Sequence, residues 1–385
     1  MSFRRNRQIL SPSARILLVP EDSLYIAFRL LPILHRAGFA VDILCLEGDP
    51  VAHSRYAATV IQQRTVDDQS DYLAAMLKRP QQPWRSVIVV NELLVRRLLA
   101  ANDPALLERW QPAARDSLVR EFYSSKSGLE PARQAWHLPI PFSQTCSTLD
   151  EILNFGAGAG WPLIVKPPVG SGGDGVIKFS SPQAAAAGVA KLCFPVVAQQ
   201  FIHGRSGTTE MLCSAGRPLA WLASHVTKTD CGQFGPSTAR LFAGLPRMQP
   251  LVEEVARHTR FDGFCGFDWV EEKNTGKYYL VEFHPRASQG FRYGRFCGVD
   301  FSQAVGAWLR GNTQNFAPLT QLPGTSVAAH AFTSDFFRCL RQRDWHGLKA
   351  WLPGSSACHD VFWDDTPLFT AWAMQRCWRL FKKCF

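Results

Sequence analysis

Long apolar runs are missing from the 385-residue sequence, and no segment approaches the roughly 18 consecutive apolar residues that a membrane-spanning helix needs. The residues before Arg15 include several arginines but no apolar stretch of the kind that a secretory signal contains. No solenoid-type repeat and no polar low-complexity tract is found. We therefore expect a folded globular protein that neither spans a membrane nor carries a secretory signal.

Metal-type and disulfide-type cysteine patterns are missing as well. The eleven cysteines are spread singly between Cys45 and Cys384, with no C-x-x-C pair, and their number is odd. Such usage is typical of reduced, mostly buried thiols in the cytosol, which predicts a cytoplasmic protein. The one adjacent cysteine and histidine, Cys358 and His359, are too few ligands to predict a metal site.

Positive charge is in excess, with 42 Lys and Arg against 32 Asp and Glu and a formal net charge of +10. This balance suits an anionic partner, whether a nucleotide, an acidic substrate, nucleic acid or a membrane surface. The sequence contains no recognisable RNA-binding or helix-turn-helix motif, and a phosphate-binding cleft would account for part of the charge. We therefore expect no nucleic-acid partner.

The first 110 residues alternate between short apolar runs and helical patterns. Strands are predicted at residues 15–20, 41–46 and 86–91, and helices at 24–37, 68–78 and 92–101. This alternation predicts a parallel α/β domain of Rossmann-like type over residues 1–110. Gly48, Asp49 and Pro50 follow the second strand, at the edge where open sheets bind ligands, although a plain turn is the simpler interpretation.

From residue 162 onward the pattern changes to strands joined by hairpins. Strands are predicted at 163–166, 176–179, 196–202, 208–213, 218–226, 264–271 and 278–284, with helices at 182–192 and 249–259. This predicts an α+β module with antiparallel sheets over residues 111–315, divided into lobes of 111–195 and 196–315. Residues 316–385, rich in aromatic and basic side chains, are predicted to be a C-terminal extension.

A glycine-rich segment lies between two of these strands. It fits the pattern G-x-G-x-x-G and consists of Gly170, Ser171, Gly172, Gly173, Asp174 and Gly175. An extended pattern follows it, whereas a dinucleotide-binding fingerprint or a P-loop would open a helix. The segment is therefore predicted to be a hairpin loop whose backbone N–H groups close over phosphate oxygens. A mobile hairpin without a ligand is the alternative.

Two acidic residues are predicted to face each other in the last of these hairpins. If its turn has three residues, Asp268 lies opposite Glu282, and His284 shares a face with Glu282 because strand side chains alternate. Opposed carboxylates repel one another unless a cation sits between them, and oxygen ligands of this kind suit Mg²⁺. The alternative is that one carboxylate turns outward into a salt bridge.

Together these motifs resemble the ATP-grasp superfamily, whose order they follow over roughly half of the chain. The first α/β unit resembles the domain that precedes an ATP-grasp module. The resemblance implies ATP as a cofactor, with its phosphates held by Lys126, Lys166 and the glycine loop. It also places the adenine hinge at Gln200, Phe201 and Ile202.

The family's metal motif, Glu-x-Asn-Pro-Arg, reads Glu282-Phe283-His284-Pro285-Arg286 in this chain. The resemblance therefore assigns Asp268, Glu282 and His284 to a metal ion, Mg²⁺ or alternatively Mn²⁺. His284 replaces the asparagine, and an imidazole nitrogen is a poorer Mg²⁺ ligand than an amide oxygen. An ATP-binding protein with a degenerate metal site and no turnover is accordingly a second interpretation.

The segment GPSTAR, which ends at Arg240, is similar to one in carboligase-like and carbamoyl-phosphate-synthase-like ATP-grasp proteins. The resemblance gives Arg240 and Arg286 catalytic roles at the substrate carboxylate or the acyl phosphate, with Arg292 and residues 288–290 near the same pocket. It implies a ligase that uses ATP and Mg²⁺ to activate a small-molecule carboxylate and joins it to an amine. A phosphotransferase on the same fold is the remaining alternative.

The last twenty residues have helical spacing, with a basic side facing an apolar and aromatic stripe. The basic residues are Arg376, Arg379, Lys382 and Lys383. This pattern is typical of a helix that lies on an anionic membrane surface. It also fits a helix whose apolar side docks on the ATP-grasp lobe, and we favour docking over membrane contact.

Overall fold

The computed structural model describes residues 15–21, 26–230, 232–352, 354–355 and 357–384, without the side chains of 379–384. These residues fall into two compact units. The first contains residues up to 110 together with 302–315 and the chain from 362 onward, and the second contains 111–301 and 316–361. The segment from 316 to the C-terminus, which the sequence analysis treats as one extension, is thus divided between the two units.

The first unit is built on a parallel four-stranded sheet. Its strands are β1 (Arg15–Val19), β2 (Ala40–Leu46), β3 (Ala57–Gln63) and β4 (Ser86–Val89), in the order β3-β2-β1-β4. Its helices are Ala27–Arg36, Val66–Leu77, Glu92–Ala100, Pro104–Trp110, Phe301–Arg310 and Thr366–Cys384. The predicted strands β1, β2 and β4 are confirmed, and the edge strand β3 was not predicted.

The C-terminal helix Thr366–Cys384 belongs to the first unit, not to the ATP-grasp lobe as the sequence analysis expected. The ring of Phe362, just before it, packs against that of Phe28 with 4.4 Å between centroids, and Leu368 is fully buried. The Asp365 carboxylate accepts hydrogen bonds from the Ser54 hydroxyl and from a backbone N–H. The start of this helix is therefore part of a core.

The turn at Gly48, Asp49 and Pro50 has a structural explanation. The Asp49 carboxylate accepts a 2.9 Å hydrogen bond from the Val51 N–H and so caps a short 3₁₀ helix. The Gln375 amide donates to the Gly48 carbonyl at 3.1 Å. These contacts support the plain-turn interpretation.

Among the described residues, no helix is both long and apolar enough to cross a membrane.

The second unit contains a four-stranded antiparallel sheet. Its strands are β5 (Ser143–Cys146), β6 (Leu163–Lys166), β7 (Ile177–Phe179) and β8 (Val196–Gln200), in the order β5-β8-β6-β7. Helices Leu149–Ala159 and Pro182–Gly188 contribute to the apolar core on this sheet, whose fully buried members include Ile152, Leu163, Val165 and Ala185. Helices Ser117–Ser124 and Leu129–Trp136 precede it in the chain.

A larger, mostly antiparallel sheet completes the second unit. Its strands are β9 (Gly204–Ser214), β10 (Arg217–Thr229), β11 (Ser237–Ala243), β12 (Gly263–Glu272), β13 (Tyr278–His284), β14 (Leu319–Thr320), β15 (Ser326–His330) and β16 (Cys358–His359). The order is β13-β12-β9-β10-β11-β15-β16, and β14 pairs with β10. The other helices of this unit are Gln249–Thr259, Ser334–Arg341 and Trp345–Lys349. The predicted mixed α/β and α+β architecture is confirmed.

Candidate functional site

The glycine loop joins β6 and β7, which pair antiparallel, so the predicted hairpin is confirmed. Gly172, Gly173 and Gly175 have φ angles of +66°, +79° and +70°, a backbone conformation that residues with a Cβ rarely adopt. A Cβ on Gly173 would lie 1.8 Å from the Phe234 carbonyl oxygen. The loop therefore depends on glycine both for its turn and for its close approach to residues 234–235.

Lys126 contacts both the glycine loop and β13, the strand that carries the predicted metal ligand Glu282. Its Nζ lies 2.9 Å from Glu282 Oε1 and donates to the Gly170 carbonyl at 2.8 Å. Its backbone N–H donates to the Pro168 carbonyl at 2.9 Å, which ties the backbone here to the start of the loop. Two residues far apart in sequence, 126 and 282, are thus brought into direct contact.

Lys166, at the end of β6, is a buried cation. Its Nζ donates to Gln199 Oε1 and to the Val281 carbonyl, both at 3.0 Å. Burial lowers the pKa of Lys166 to about 8; the nearby Glu282 carboxylate opposes this shift and the Lys126 charge adds to it. The ammonium is therefore held in a buried position, where a bound anion would favour its charged form.

Gln199, which contacts Lys166, was not predicted from the sequence, whereas its neighbour Gln200 was. Gln199 is almost fully buried, and its Nε2 atom has no hydrogen-bond partner among the described residues. Ile164 pairs with Gln199 and Lys166 pairs with Val197, so Lys166 and Gln199 lie on the same face of the sheet. Strand alternation counted from Lys166 would have identified Gln199.

The two acidic residues of the β12–β13 hairpin are direct cross-strand partners, as predicted: Asp268 pairs with Glu282. The expected three-residue turn is wrong, however, because the Glu272 N–H donates to the Lys277 carbonyl, which leaves four residues in the turn. An irregularity at Val281 shifts the register by one and restores the expected pairing. The carbonyl of Val281 is the one that accepts from Lys166.

His284 lies beside Asp268, with 3.3 Å between Nε2 and Oδ2. Burial alone would lower the pKa of His284, but the Asp268 carboxylate raises that pKa above its ordinary value. Burial would raise the pKa of Asp268, and the imidazole lowers it instead. Both shifts favour the ion pair of an imidazolium with a carboxylate, and an imidazole in its protonated form cannot ligate a metal. In the part of the chain that the structure describes, no three His, Cys, Asp or Glu side chains form a metal-binding group.

Arg240 is anchored by a buried carboxylate, Glu210, which was not predicted from the sequence. Arg240 Nη1 donates to Glu210 Oε1 at 2.7 Å, and its Nε donates to the Ser237 hydroxyl at 2.8 Å. The Ser288 hydroxyl donates to the same Glu210 oxygen at 3.0 Å. Glu210 is fully buried; burial raises its pKa, and the Arg240 guanidinium opposes this shift. Glu210 pairs with Gly266, two residues from Asp268, which places it on the same sheet face.

The remaining predicted residues make other contacts. Arg286 donates to the Ala287 carbonyl at 3.1 Å, and Arg292 is buried and donates to the Val361 carbonyl at 3.2 Å. At the predicted adenine hinge, the Lys178 ammonium lies 3.8 Å from the centroid of the Phe201 ring. Gln200 ends β8 half-buried, and Ile202 is buried.

Residues 133–289 match the protein family described as an ATP-grasp domain. Similar solved structures include N5-carboxyaminoimidazole synthetase from Staphylococcus aureus complexed with ADP, with TM-score 0.65 and 13% identity over 87% of this chain and 86% of that chain. The biotin carboxylase domain of Hydrogenobacter thermophilus 2-oxoglutarate carboxylase, in complex with MgADP, ADP and bicarbonate, has TM-score 0.60 and 13% identity over 79% and 71%. An L-amino acid ligase from Bacillus licheniformis has TM-score 0.57 and 14% identity over 82% and 78%.

These structures share the fold of this chain, and their names are those of a synthetase, a carboxylase and a ligase. The family match identifies an ATP-grasp domain at residues 133–289, and the similar structures show that the chain shares their fold.

Proposed function

We propose that this protein is an ATP- and Mg²⁺-dependent ligase that activates a small-molecule carboxylate as an acyl phosphate and joins it to an amine. One observation carries the proposal. Lys126 contacts both Glu282 and the first glycine of the loop, and Lys166 contacts the Val281 carbonyl next to Glu282. Asp268 lies directly across from Glu282. Two cations beside a glycine-rich loop form a site for a polyphosphate.

The chain's own groups have distinct roles in this proposal. Lys126, Lys166 and the loop N–H groups hold the phosphates and neutralise charge as the γ-phosphoryl group is transferred. Arg240, held by Glu210, receives the substrate carboxylate, because a guanidinium fork matches two carboxylate oxygens. Arg286 is the second arginine that we assign to this anionic pocket. The acyl phosphate is then attacked by the amine, and phosphate leaves.

The opposed carboxylates fit a magnesium ion. Asp268 and Glu282 are cross-strand partners, and Mg²⁺ typically takes one or two carboxylates and completes its shell with water and phosphate oxygens. Asp268 and Glu282 would hold the ion, which supplies further charge neutralisation to the phosphates. His284 does not fit as a ligand while it is protonated against Asp268.

The pairing of His284 with Asp268 favours a second candidate, an ATP-binding protein without turnover. One experiment separates the two. The protein is incubated with MgATP and a panel of amino acids and small acids, ADP release is measured, and products are identified by mass. The ligase proposal expects ADP release that requires both an acid and an amine, with a condensed product. A phosphorylated product would instead identify a phosphotransferase, and nucleotide binding without any ADP release would support the second candidate.

A further inference from the structure

The Glu282 carboxylate, proposed above as a metal ligand, already has a cation of the protein on it. Lys126 Nζ lies 2.9 Å from Glu282 Oε1, and the lysine side chain is only 9% exposed. The Asp268 carboxylate, the other ligand, has the His284 imidazole at 3.3 Å. A divalent ion that approaches this hairpin without a nucleotide therefore meets carboxylates whose charge is already compensated.

The contacts of Lys126 leave its ammonium able to exchange Glu282 for a stronger anion. Its ammonium carries three donors on a flexible stem, and the second contact is with the Gly170 carbonyl, at the start of the glycine loop. Its backbone is fixed to the same loop through the Pro168 carbonyl, so only the side chain has to rotate. Lys166 differs, because Gln199 and the Val281 carbonyl hold its ammonium in place.

We propose that Lys126 is a built-in counter-ion that blocks the metal site until nucleotide phosphates withdraw it from Glu282. The inference rests on the proposed function. Phosphates at the glycine loop compete for the ammonium, and its departure frees a full negative charge opposite Asp268. Nucleotide binding thereby creates the metal site, and by reciprocity the metal ion strengthens nucleotide binding. The protein then takes up metal and ATP together and has little affinity for the free ion.

Binding of Mn²⁺ alone tests this proposal, because free Mn²⁺ can be counted by electron paramagnetic resonance without turnover or substrate. Four proteins are titrated without nucleotide: wild type, Lys126→Met, Lys126→Arg and Lys277→Met. Lys277 is an exposed lysine on the same hairpin with its ammonium over the Tyr279 ring, so its removal controls for net charge. We expect Lys126→Met to bind Mn²⁺ about tenfold more tightly than wild type, equal to ~1.4 kcal/mol. Lys126→Arg and Lys277→Met should resemble wild type.

A second titration repeats the measurement with a non-hydrolysable ATP analogue. The analogue should tighten Mn²⁺ binding strongly in wild type and less in Lys126→Met, where the block is already gone. The proposal is overturned if Lys126→Met binds Mn²⁺ alone no more tightly than wild type, if it shows no Mn²⁺ binding up to millimolar concentration, or if Lys277→Met gains as much. Failure of all four proteins to bind the analogue would instead count against the ATP-dependent function, since the Mn²⁺-only titrations do not depend on it.

Discussion

Lys166 combines burial with positive charge, and both properties lead to a pH-dependent prediction. Lys166→Met should weaken ATP binding by ten- to a hundredfold, because charge-assisted contacts to phosphate contribute roughly 1.5–3 kcal/mol. Burial lowers its pKa to about 8, so wild-type affinity should decline above that pH as the ammonium loses its proton. In the variant this decline should disappear. Nucleotide affinity measured by fluorescence between pH 7 and 9 checks both expectations, and equal affinity of the two proteins would remove Lys166 from the site.

Arg240 and Glu210 form a buried ion pair whose members should be coupled in stability. Arg240→Met leaves the fully buried Glu210 carboxylate without its guanidinium partner, which typically costs about 3–5 kcal/mol. Glu210→Gln added to this variant removes the stranded charge and should recover part of that loss. Denaturant unfolding of both single variants and the double variant gives the coupling energy. Strictly additive losses would contradict the assigned pairing.

His284 departs from the family's asparagine, and its pairing with Asp268 gives a stability effect with a defined sign. The pKa of His284 is raised in the folded protein, so its contribution is fully present below its ordinary value of 6.5 and is lost as pH rises through the raised value. His284→Asn should therefore be less stable than wild type at pH 6, and the two should converge towards pH 9. Thermal melts across this range are the measurement. A gap that widens with pH would show that the imidazole is neutral in the fold.

His284→Asn also restores the residue that the family motif places at the metal. We expect His284→Asn to bind magnesium as tightly as wild type or more tightly, because an amide oxygen suits Mg²⁺ better than an imidazole nitrogen.

At the scale of elements, the glycine loop can be tested at the position where it approaches the chain most closely. Gly173→Ala puts a Cβ 1.8 Å from the Phe234 carbonyl oxygen at a φ of +79°. Gly324→Ala is the matched control, since Gly324 has a φ of +78° with open space around it. Both variants lose about 1–2 kcal/mol from the left-handed backbone. Only Gly173→Ala should also displace the loop, which limited proteolysis and nucleotide affinity would detect. Equal behaviour of the two variants would show that the contact with Phe234 is unimportant.

Local pattern predicted the strands that carry the site, because their apolar runs and bounding turns are strong signals. It failed for β3 and β5, whose sequences AATVIQQ and SQTC carry many polar or small residues at positions on the sheet edge. The pairing of Asp268 with Glu282 was predicted with the wrong turn, and the irregularity at Val281 compensated for the error. Register near a hairpin depends on such irregularities, which sequence spacing does not encode.

The parts of the site that escaped prediction are those fixed by long-range packing. Glu210 lies in the buried part of β9, and its partner Arg240 lies in β11, a strand that was not predicted. Likewise, the contact between Lys126 and Glu282 joins two residues of the second unit that are far apart in the sequence. A motif identifies residues with the right chemistry, and the fold shows which of them contact one another.

At the scale of the whole molecule, the C-terminal helix combines a docked start with an exposed end. Leu368 is fully buried and Trp372 packs 5.8 Å from the Phe362 ring, whereas Met374 and Trp378 are 69% and 59% exposed. Deletion of residues 370–385 removes Trp372 and the contact of Gln375 with Gly48. We expect it to lower the melting temperature or cause aggregation, since each large buried apolar side chain contributes roughly 1.5–3 kcal/mol.

The control is the double variant Met374→Ser and Trp378→Ser, which removes apolar surface without touching the docked turns. Its melting temperature should match wild type, because both side chains face solvent. Sedimentation with anionic vesicles is measured for the same three proteins, and we expect none of them to pellet. If wild type pellets and both variants do not, while the truncated protein keeps its melting temperature, the helix is a membrane contact and docking is not its role. The double variant decides the matter even when the truncated chain aggregates, because it separates the exposed stripe from the core that begins at Phe362.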